Sequence, residues 1–462
     1  MAVMSPDSAR CTLVLDVGKT NVKLVVVSKA GAIVDSVRMS NKSIDGPPYP
    51  HLDTEGTWRW MLEALCGLTP KYAIDAIVPT THGCAAGLVG DGELVLPILD
   101  YEFDIPADTC ARFTALKPPF EETATPDLPV GFTLGRQLFW LQEAFPQPFA
   151  KAEMLLTYPQ YWSWRLSGVA AGELTSIACH SHLWNPHAGA FSSLVEQQGW
   201  GHLFPQVRPA YAALGTVRPE ITERTGLAPD CRVHSGIHDS NAAYALYVRG
   251  YDRPFSLVST GTWVIAFSPR LPLAKLDEPR DVIANVNVLG EPLPAGRYMG
   301  GREYEMLSEH VDAKSCDEGD LAAVIEKGSF LLPSYAPGGP FMGREGGAHG
   351  PEPRTPGEML ARLTLYLALM TETTCRILEM DGDLMIDGGF VNNVAYCRTL
   401  AALMKAERCF VNRQTEGTAV GAGMLAVWDD ESVQWPLDLS PIDPVKIEGL
   451  DGYAQAWRSL SG

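Results

Sequence analysis

Asp239 stands directly after His238, at the end of the apolar run Val233 to His238 and the start of a helical pattern, Ser240 to Val248. A carboxylate placed there can accept the proton of a hydroxyl as that oxygen attacks phosphorus. It can equally serve as a helix cap. Two further segments resemble each other. One is Leu13 to Val27, with Asp16-Val17-Gly18-Lys19-Thr20 at its centre; the other is Ser256 to Phe267, with Ser259-Thr260-Gly261-Thr262-Trp263. Each reads as an apolar strand, a tight turn with Gly and Thr, and a second β-branched strand. Such turns can point N–H groups and a hydroxyl at an anion. Two copies far apart in one chain suggest two related domains acting on one phosphate chain.

The string Gly18-Lys19-Thr20 is not a P-loop, because Leu13 stands where that motif requires its first glycine. As a strand–turn–strand anion site, it would place Asp16 on a hydrated Mg²⁺ and Lys19, Thr20 and turn N–H groups on phosphate oxygens. A plain hairpin explains the same residues. Asp387-Gly388-Gly389-Phe390-Val391-Asn392-Asn393 follows a strand and opens a helix. Its paired glycines would let a flat base lie on the backbone, with Asn393 within reach of adenine. A Ser-His-Asp hydrolase is disfavoured by the absence of a G-x-S-x-G elbow. Cys179-His180-Ser181-His182 lacks further ligands at zinc spacing. Tyr158, Tyr161, Trp162 and Trp164 fit core packing better than a sugar platform.

The elements that must position these residues follow from periodicity. Residues 12–16, 22–27 and 32–38 read as an antiparallel meander, and Thr54 to Leu68 as a helix capped near Asp53. Strands are expected over Ala73 to Pro79 and Glu93 to Leu99, an irregular stretch over 104–131, and helices from Leu134 and over Leu155 to Leu166. A helix from Pro219 to Thr225 stops at Gly226. Past a boundary near 250 come the second hairpin and a Gly/Pro-rich loop over 333–357. A long helix to about Met380, a strand from Asp383 to Asp387 and helices over Val394 to Lys405, Thr418 to Val427 and Gly452 to Leu460 complete the pattern.

The chain has 462 residues, too many for one ordinary core, so two large domains are expected. Its formal charge of −19 opposes nucleic-acid or anionic-membrane binding. No apolar run reaches the roughly 18–20 residues that span a bilayer. Met1 to Arg10 is polar with no secretory core, and the ten cysteines are scattered without a C-x-x-C pair, so a cytoplasmic protein with reduced thiols is expected.

Taken in order, these segments resemble the FGGY family of carbohydrate kinases over nearly the whole length. Asp16 to Lys23 is similar to the family's first phosphate motif, Thr80-Thr81-His82-Gly83 to the segment that approaches the sugar, and Leu138 to Pro148 with Leu155 to Gly168 to a Trp-rich helical stretch. Gly236 to Asp239 is similar to the catalytic segment. Ser259 to Trp263, Gly388 to Asn393 and Glu416 to Ala426 resemble the phosphate and adenosine motifs of the second domain. The resemblance implies an α/β fold of two actin-like (ribonuclease-H-like) domains, 1–250 and 251–462, with an interdomain active-site cleft. It implies ATP and Mg²⁺ as cofactors and a small-molecule sugar as partner, with neither nucleic acid nor membrane, and a homodimer as the assembly considered. Asp239 would be the general base and Asp16 the Mg²⁺-linked carboxylate. Gly18, Lys19, Thr20, Gly261, Thr262, Gly388, Gly389 and Asn393 would contact the nucleotide. Thr81, His82, Gly83, Tyr101, His238 and Asp239 would line the substrate.

Two departures stand out. Lys19 occupies a position where many members carry Thr or Ala. After Pro97, the family's Trp-x-Asp-x-Arg segment is replaced by Asp100-Tyr101-Glu102-Phe103-Asp104, so which carboxylate reaches the substrate is open. Asn21 and Glu173-Leu174-Thr175 resemble the deoxy-ketose kinases more than glycerol kinases. The expected reaction is ATP-dependent phosphorylation of a ketose hydroxyl. A non-enzymatic nucleotide and sugar sensor, or an ATP hydrolase of the same fold class, are the competing readings.

Overall fold

Alternate residues of a strand face opposite sides of its sheet, and the first strand, Arg10–Val17, uses both sides. Leu13, Leu15 and Val17 enter one core together with Val22, Leu24 and Val26 of the next strand, Asn21–Ser28. Asp16 and its cross-strand partner Lys23 fall on the opposite face. The computed structural model describes residues 10–414 and 416–462. The reading of the polar N-terminus lies, except for Arg10, outside the described residues.

Two units emerge. The first comprises Met1–Tyr251, Asn285–Pro292 and Glu416–Pro436; the second comprises Asp252–Ala284, Leu293–Thr415 and Leu437–Gly462. The segment Glu416–Pro436, assigned above to the second domain, thus clusters with the first unit.

The sheet of the first unit runs in the order Ala213–Thr216, Arg232–His234, Ala73–Thr81, Arg10–Val17, Asn21–Ser28, Ile33–Ser40. The last three form the expected antiparallel meander. Arg10–Val17, Arg232–His234 and the short strand Ile237–His238 all run parallel to Ala73–Thr81. The helices Thr54–Leu68 and Tyr158–Ser167 cover one face with Met61, Leu62, Leu65, Tyr158 and Trp162. The carboxylate of Asp53 caps the first of these by accepting from Gly56 N at 2.7 Å, as its position before the apolar stripe predicts. The helix Gly417–Met424 lies on the other face, where Gly423 packs against Val27, and it crosses the helix Asp239–Gly250. A Cβ on Gly421 would stand 1.9 Å from the Ala242 carbonyl oxygen, so only glycine permits that crossing.

The second unit repeats the plan. Its sheet is ordered Val282–Val286, Pro292–Tyr298, Val264–Phe267, Phe255–Thr260, Asp383–Gly388, Cys409–Asn412, Leu439–Pro441. Phe255–Thr260 pairs antiparallel with Val264–Phe267 and parallel with Asp383–Gly388. The first strand of the other unit does the same with its own neighbours. The helix Pro356–Ile377 has every residue from Leu363 to Cys375 buried, as expected of a central helix wrapped on all sides. Inside it, the Thr371 hydroxyl bridges the Tyr298 and Tyr396 hydroxyls at 2.8 Å each, which satisfies three buried polar groups.

Several expected elements differ. The strand expected over Glu93 to Leu99 is only Glu93–Leu94, paired with Ala86–Gly90. The stretch 104–131 contains the helix Ala107–Leu116. The segment from Leu155 begins as a strand, Met154–Thr157, because Pro159 suits the first turn of a helix and not its interior. The expected strand Val233 to His238 breaks at Gly236, whose φ is +85°. Among the described residues, no helix is long and apolar enough to cross a membrane.

Gly421→Ala is expected to cost about 1–3 kcal/mol through overpacking of the two helices. A urea midpoint equal to that of the unaltered chain would show that the crossing tolerates a methyl group.

Candidate functional site

The central parallel strand of the first unit gathers the candidate residues. Asp16 and Val17 pair with Thr80 and Thr81 on one side of it, and Ile237 and His238 pair with the same two threonines on the other. Asp16, His82 and Asp239 therefore emerge together at the carboxyl ends of three parallel strands, where α/β sheets place ligands.

Asp239 opens its helix as the first helical residue, with His238 in the cap position. Its Oδ1 accepts from Ser240 N at 2.6 Å and Ser240 Oγ at 3.1 Å, and lies 3.2 Å from His238 Nε2 as an ion pair. Oδ2 takes no partner among the described residues, and the side chain is one-third exposed. One oxygen is anchored and the other is available, which suits a base better than a cap. His238 is buried, with Cys179 Sγ 3.6 Å from Nε2 and the Asn241 amide 3.4 Å from Nδ1. Burial opposes a charged ring, but the Cys179 sulfur and the Asp239 carboxylate outweigh it and bring His238 up to about 9.

Asp16 is pushed up to about 7 by burial first, then by Asp239 and Glu416, with Lys23 pulling the other way. Lys23 Nζ lies 2.7 Å from Glu416 Oε2. Gly18 closes the turn by donating to Asn21 O at 2.9 Å, and Asn41 Nδ2 donates to the Gly18 carbonyl at 2.7 Å. Thr20 is exposed.

Lys19 departs from the expected phosphate role. Its ammonium is ion-paired with buried Asp100, lies 3.2 Å from Glu102, and sits 4.7 Å from the centre of the Tyr101 ring. Burial works against a charged Asp100; hydrogen bonds from Lys19, Ser43 and Glu102 N prevail and hold its carboxyl below the usual range. Of the three acidic candidates, Asp100 and Glu102 thus converge on Lys19, while Asp104 is exposed. Tyr101 packs edge-on against His82, with ring centres 5.1 Å apart. His82 Nδ1 donates to the Gly83 carbonyl at 2.8 Å, which leaves Nε2 as an acceptor. That Nε2 is buried without a partner among the described residues, and burial lowers the ring's basicity and keeps it neutral. Thr81 is buried, and its hydroxyl donates to the His82 carbonyl at 2.8 Å.

The candidates of the second unit lie on its own sheet. Gly261 N closes the turn on Trp263 O at 2.8 Å, and Gly261 and Thr262 are exposed. Gly388 has φ +86°, and a Cβ there would meet the Thr260 carbonyl at 1.9 Å, so the turn into Gly389 requires glycine. Thr260 Oγ1 fixes that turn by donating to Asp387 O and accepting from Phe390 N. The Asn393 side chain is occupied differently from the expectation. Its oxygen caps the following helix at Tyr396 N, 3.0 Å away, and its nitrogen lies 3.4 Å from Thr364 Oγ1.

The sequence reading missed Lys23 with Glu416 as a pair, and Cys179 beside His238. A lysine inside an otherwise apolar strand, in register with Asp16, was the available signal for the first. Tyr158, Tyr161, Trp162 and Trp164 are all buried in the core, as read.

Comparison with known proteins bears on the whole chain. The model described as "FGGY family of carbohydrate kinases, N-terminal domain" matches residues 121–245, and that described as "Carbohydrate kinase FGGY, C-terminal domain" matches residues 252–434. The solved structure of a carbohydrate kinase from Novosphingobium aromaticivorans superposes with a TM-score of 0.90 at 33% identity, covering 98% of this chain and 99% of that one. A xylulose kinase from Rhodospirillum rubrum shares the fold, with a TM-score of 0.80 at 18% identity over 98% of each chain. The L-fuculokinase of Salmonella typhi is 27% identical over 270 residues, 55% of this chain and 55% of that protein. The chain thus spans about half the length of the curated relatives it matches.

A histidine pKa raised by folding stabilises the fold fully below about 6.5, its unfolded value. That stabilisation is lost as pH rises through about 9. The His238 ring should accordingly remain protonated at neutral pH in an NMR titration, and Asp239→Asn should move its titration downward. A ring that titrates identically in both proteins would refute the coupling.

Proposed function

This chain belongs to the FGGY family of carbohydrate kinases, and from that premise we propose that it transfers the terminal phosphoryl group of ATP to a hydroxyl of a small, uncharged ketose. The observation that carries the proposal is the anchoring of Asp239: two hydrogen bonds from Ser240 and the ion pair with His238 all fall on Oδ1, and Oδ2 is left for a substrate hydroxyl. As the hydroxyl oxygen attacks the γ-phosphorus, its proton passes to Oδ2, the bond to the β-phosphate oxygen breaks, and ADP leaves. Charge development at the phosphoryl group calls for cations and N–H donors rather than further covalent chemistry.

The crowding of Asp16 by Asp239 and Glu416 fits a bound divalent cation, whose charge would relieve that repulsion. Asp16 would hold Mg²⁺, which supplies neutralisation of phosphate charge. The turns at Gly18 and Thr20, and in the second unit those at Gly261, Thr262, Gly388 and Gly389, are assigned to the nucleotide. The Gly18, Gly261 and Gly388 N–H groups hold the turns themselves, so the donors assigned to phosphate are the N–H groups of Thr20, Thr262 and Gly389. Asn393 serves there by capping its helix at Tyr396 N, and its second amide hydrogen is the group it would offer adenine.

On the substrate side, His82 Nε2 is the acceptor for a sugar hydroxyl, an assignment supported by its lack of a partner. Thr81 and Gly83 shape the approach, and Tyr101 forms a wall. Lys19 with Asp100 and Glu102 carries one net negative charge, which favours hydroxyls and disfavours sugar acids. The likeness to L-fuculokinase over about half of each chain supports a 6-deoxy-ketose as the ketose.

Asp239→Asn should lower kcat by about 10²–10⁴ while Mg-ATP still binds. Retained turnover would remove Asp239 as the base, and nucleotide binding with no sugar phosphate formed by the unaltered chain would favour a sensor. Lys19→Met should raise KM for the sugar by about tenfold, the effect of losing roughly 1.4 kcal/mol. Its KM for ATP should change little; a change confined to ATP would return Lys19 to the phosphate.

A further inference from the structure

The short helix Leu174–Ile177 is capped by Glu173, whose carboxylate is buried and satisfied entirely by local donors. Oε1 accepts from Thr175 N at 2.9 Å. Oε2 accepts from Thr175 Oγ1 at 2.6 Å, and from Ser176 N and Ser176 Oγ at 3.2 Å each. Because the Thr175 hydroxyl proton is directed to Glu173, its lone pairs face the other way. They accept the backbone N–H of His238 at 3.1 Å. That N–H belongs to the Ile237–His238 peptide, one peptide unit before the link to Asp239.

The same segment also bears on the His238 side chain. Cys179, two residues beyond the helix, lies 3.6 Å from His238 Nε2, and its sulfur occupies the space beside Gly83, where a Cβ would come within 2.6 Å of it. The imidazole, so confined, stands 3.2 Å from Asp239 Oδ1 as an ion pair. The chain therefore grips His238 twice from one segment, at its backbone through Thr175 and at its ring through Cys179.

We propose that Thr175, oriented by Glu173, is a positioning residue for Asp239: its hydroxyl fixes the Ile237–His238 peptide, from which the chain turns into the helix that Asp239 opens. Threonine suits this role because its β-branched side chain has few χ1 states, and here the hydroxyl is pinned as donor and acceptor at once. A misaimed base loses rate steeply with displacement. The proposal rests on the reading of Asp239 as the base.

The test compares Thr175→Val, Thr175→Ser and Asp239→Asn in the full chain, with rates expressed per folded molecule. Valine keeps the shape and removes the hydroxyl; kcat should fall about 10- to 100-fold with both KM values within about twofold. Serine restores the hydroxyl and should return kcat to within about threefold. A purely structural role would lower the melting temperature of the valine variant and leave kcat per folded molecule unchanged, which would overturn the proposal. If Asp239→Asn is inactive and Thr175→Val turns over normally, the positioning role fails and the base stands. If Asp239→Asn turns over normally, the base reading fails and the proposal falls with it. Should Thr175→Val not fold, Glu173→Gln decides: a lower kcat at unchanged KM supports the proposal, and an unchanged kcat overturns it.

Discussion

The register of one strand determines where the chemistry can occur. Thr80 and Thr81 are paired on both sides, with Asp16-Val17 along one edge and Ile237-His238 along the other. A slip of one residue in either pairing would turn the facing side chains to the opposite surface of the sheet. Asp16 would then point into the core that holds Leu13, Leu15 and Val17. The hydrophobic pattern that forbids this slip is therefore also what keeps the carboxylates on a common side. Packing and chemistry depend on the same alternation.

The two units apply one design to different ends. In each, an antiparallel hairpin with a Gly-Thr turn leads into a parallel partner strand. In the first unit the residues beside the turn are charged: Lys19 is ion-paired with Asp100 and Lys23 with Glu416, and Asp16 lies in the field of Asp239, Lys23 and Glu416. In the second the turn residues Gly261 and Thr262 are exposed, and the neighbouring glycine turn depends on backbone geometry. One hairpin has become a charge-bearing structure and the other a backbone one.

Much of this was readable in the chain itself. The helix Thr54–Leu68 has its apolar stripe and its cap in adjacent residues, so local rules suffice. Asp239 was recognisable from the junction of an apolar run and a helix. The helix Ala107–Leu116 was hidden because only Thr109 and Phe113 are buried, too sparse a stripe to register amid prolines and threonines. The engagement of Lys19 was invisible for another reason: Asp100 lies 81 residues away and is brought near by packing alone. Asn393 shows an ambiguity of a third kind. An asparagine at the start of a helix satisfies either a backbone donor or a ligand, and spacing cannot choose between them.

The Lys23–Glu416 pair joins residues 393 positions apart, and the helix that follows Glu416 closes over the sheet of the first unit. On a ribosome adding about 5–20 residues per second, the strand that bears Asp16 is finished roughly 20–80 s before that helix exists. The first unit is begun first and completed last. During that interval its nascent sheet has an uncovered apolar face, with Val27 awaiting Gly423, which makes this the stage at which chaperone capture of the emerging polypeptide would matter most.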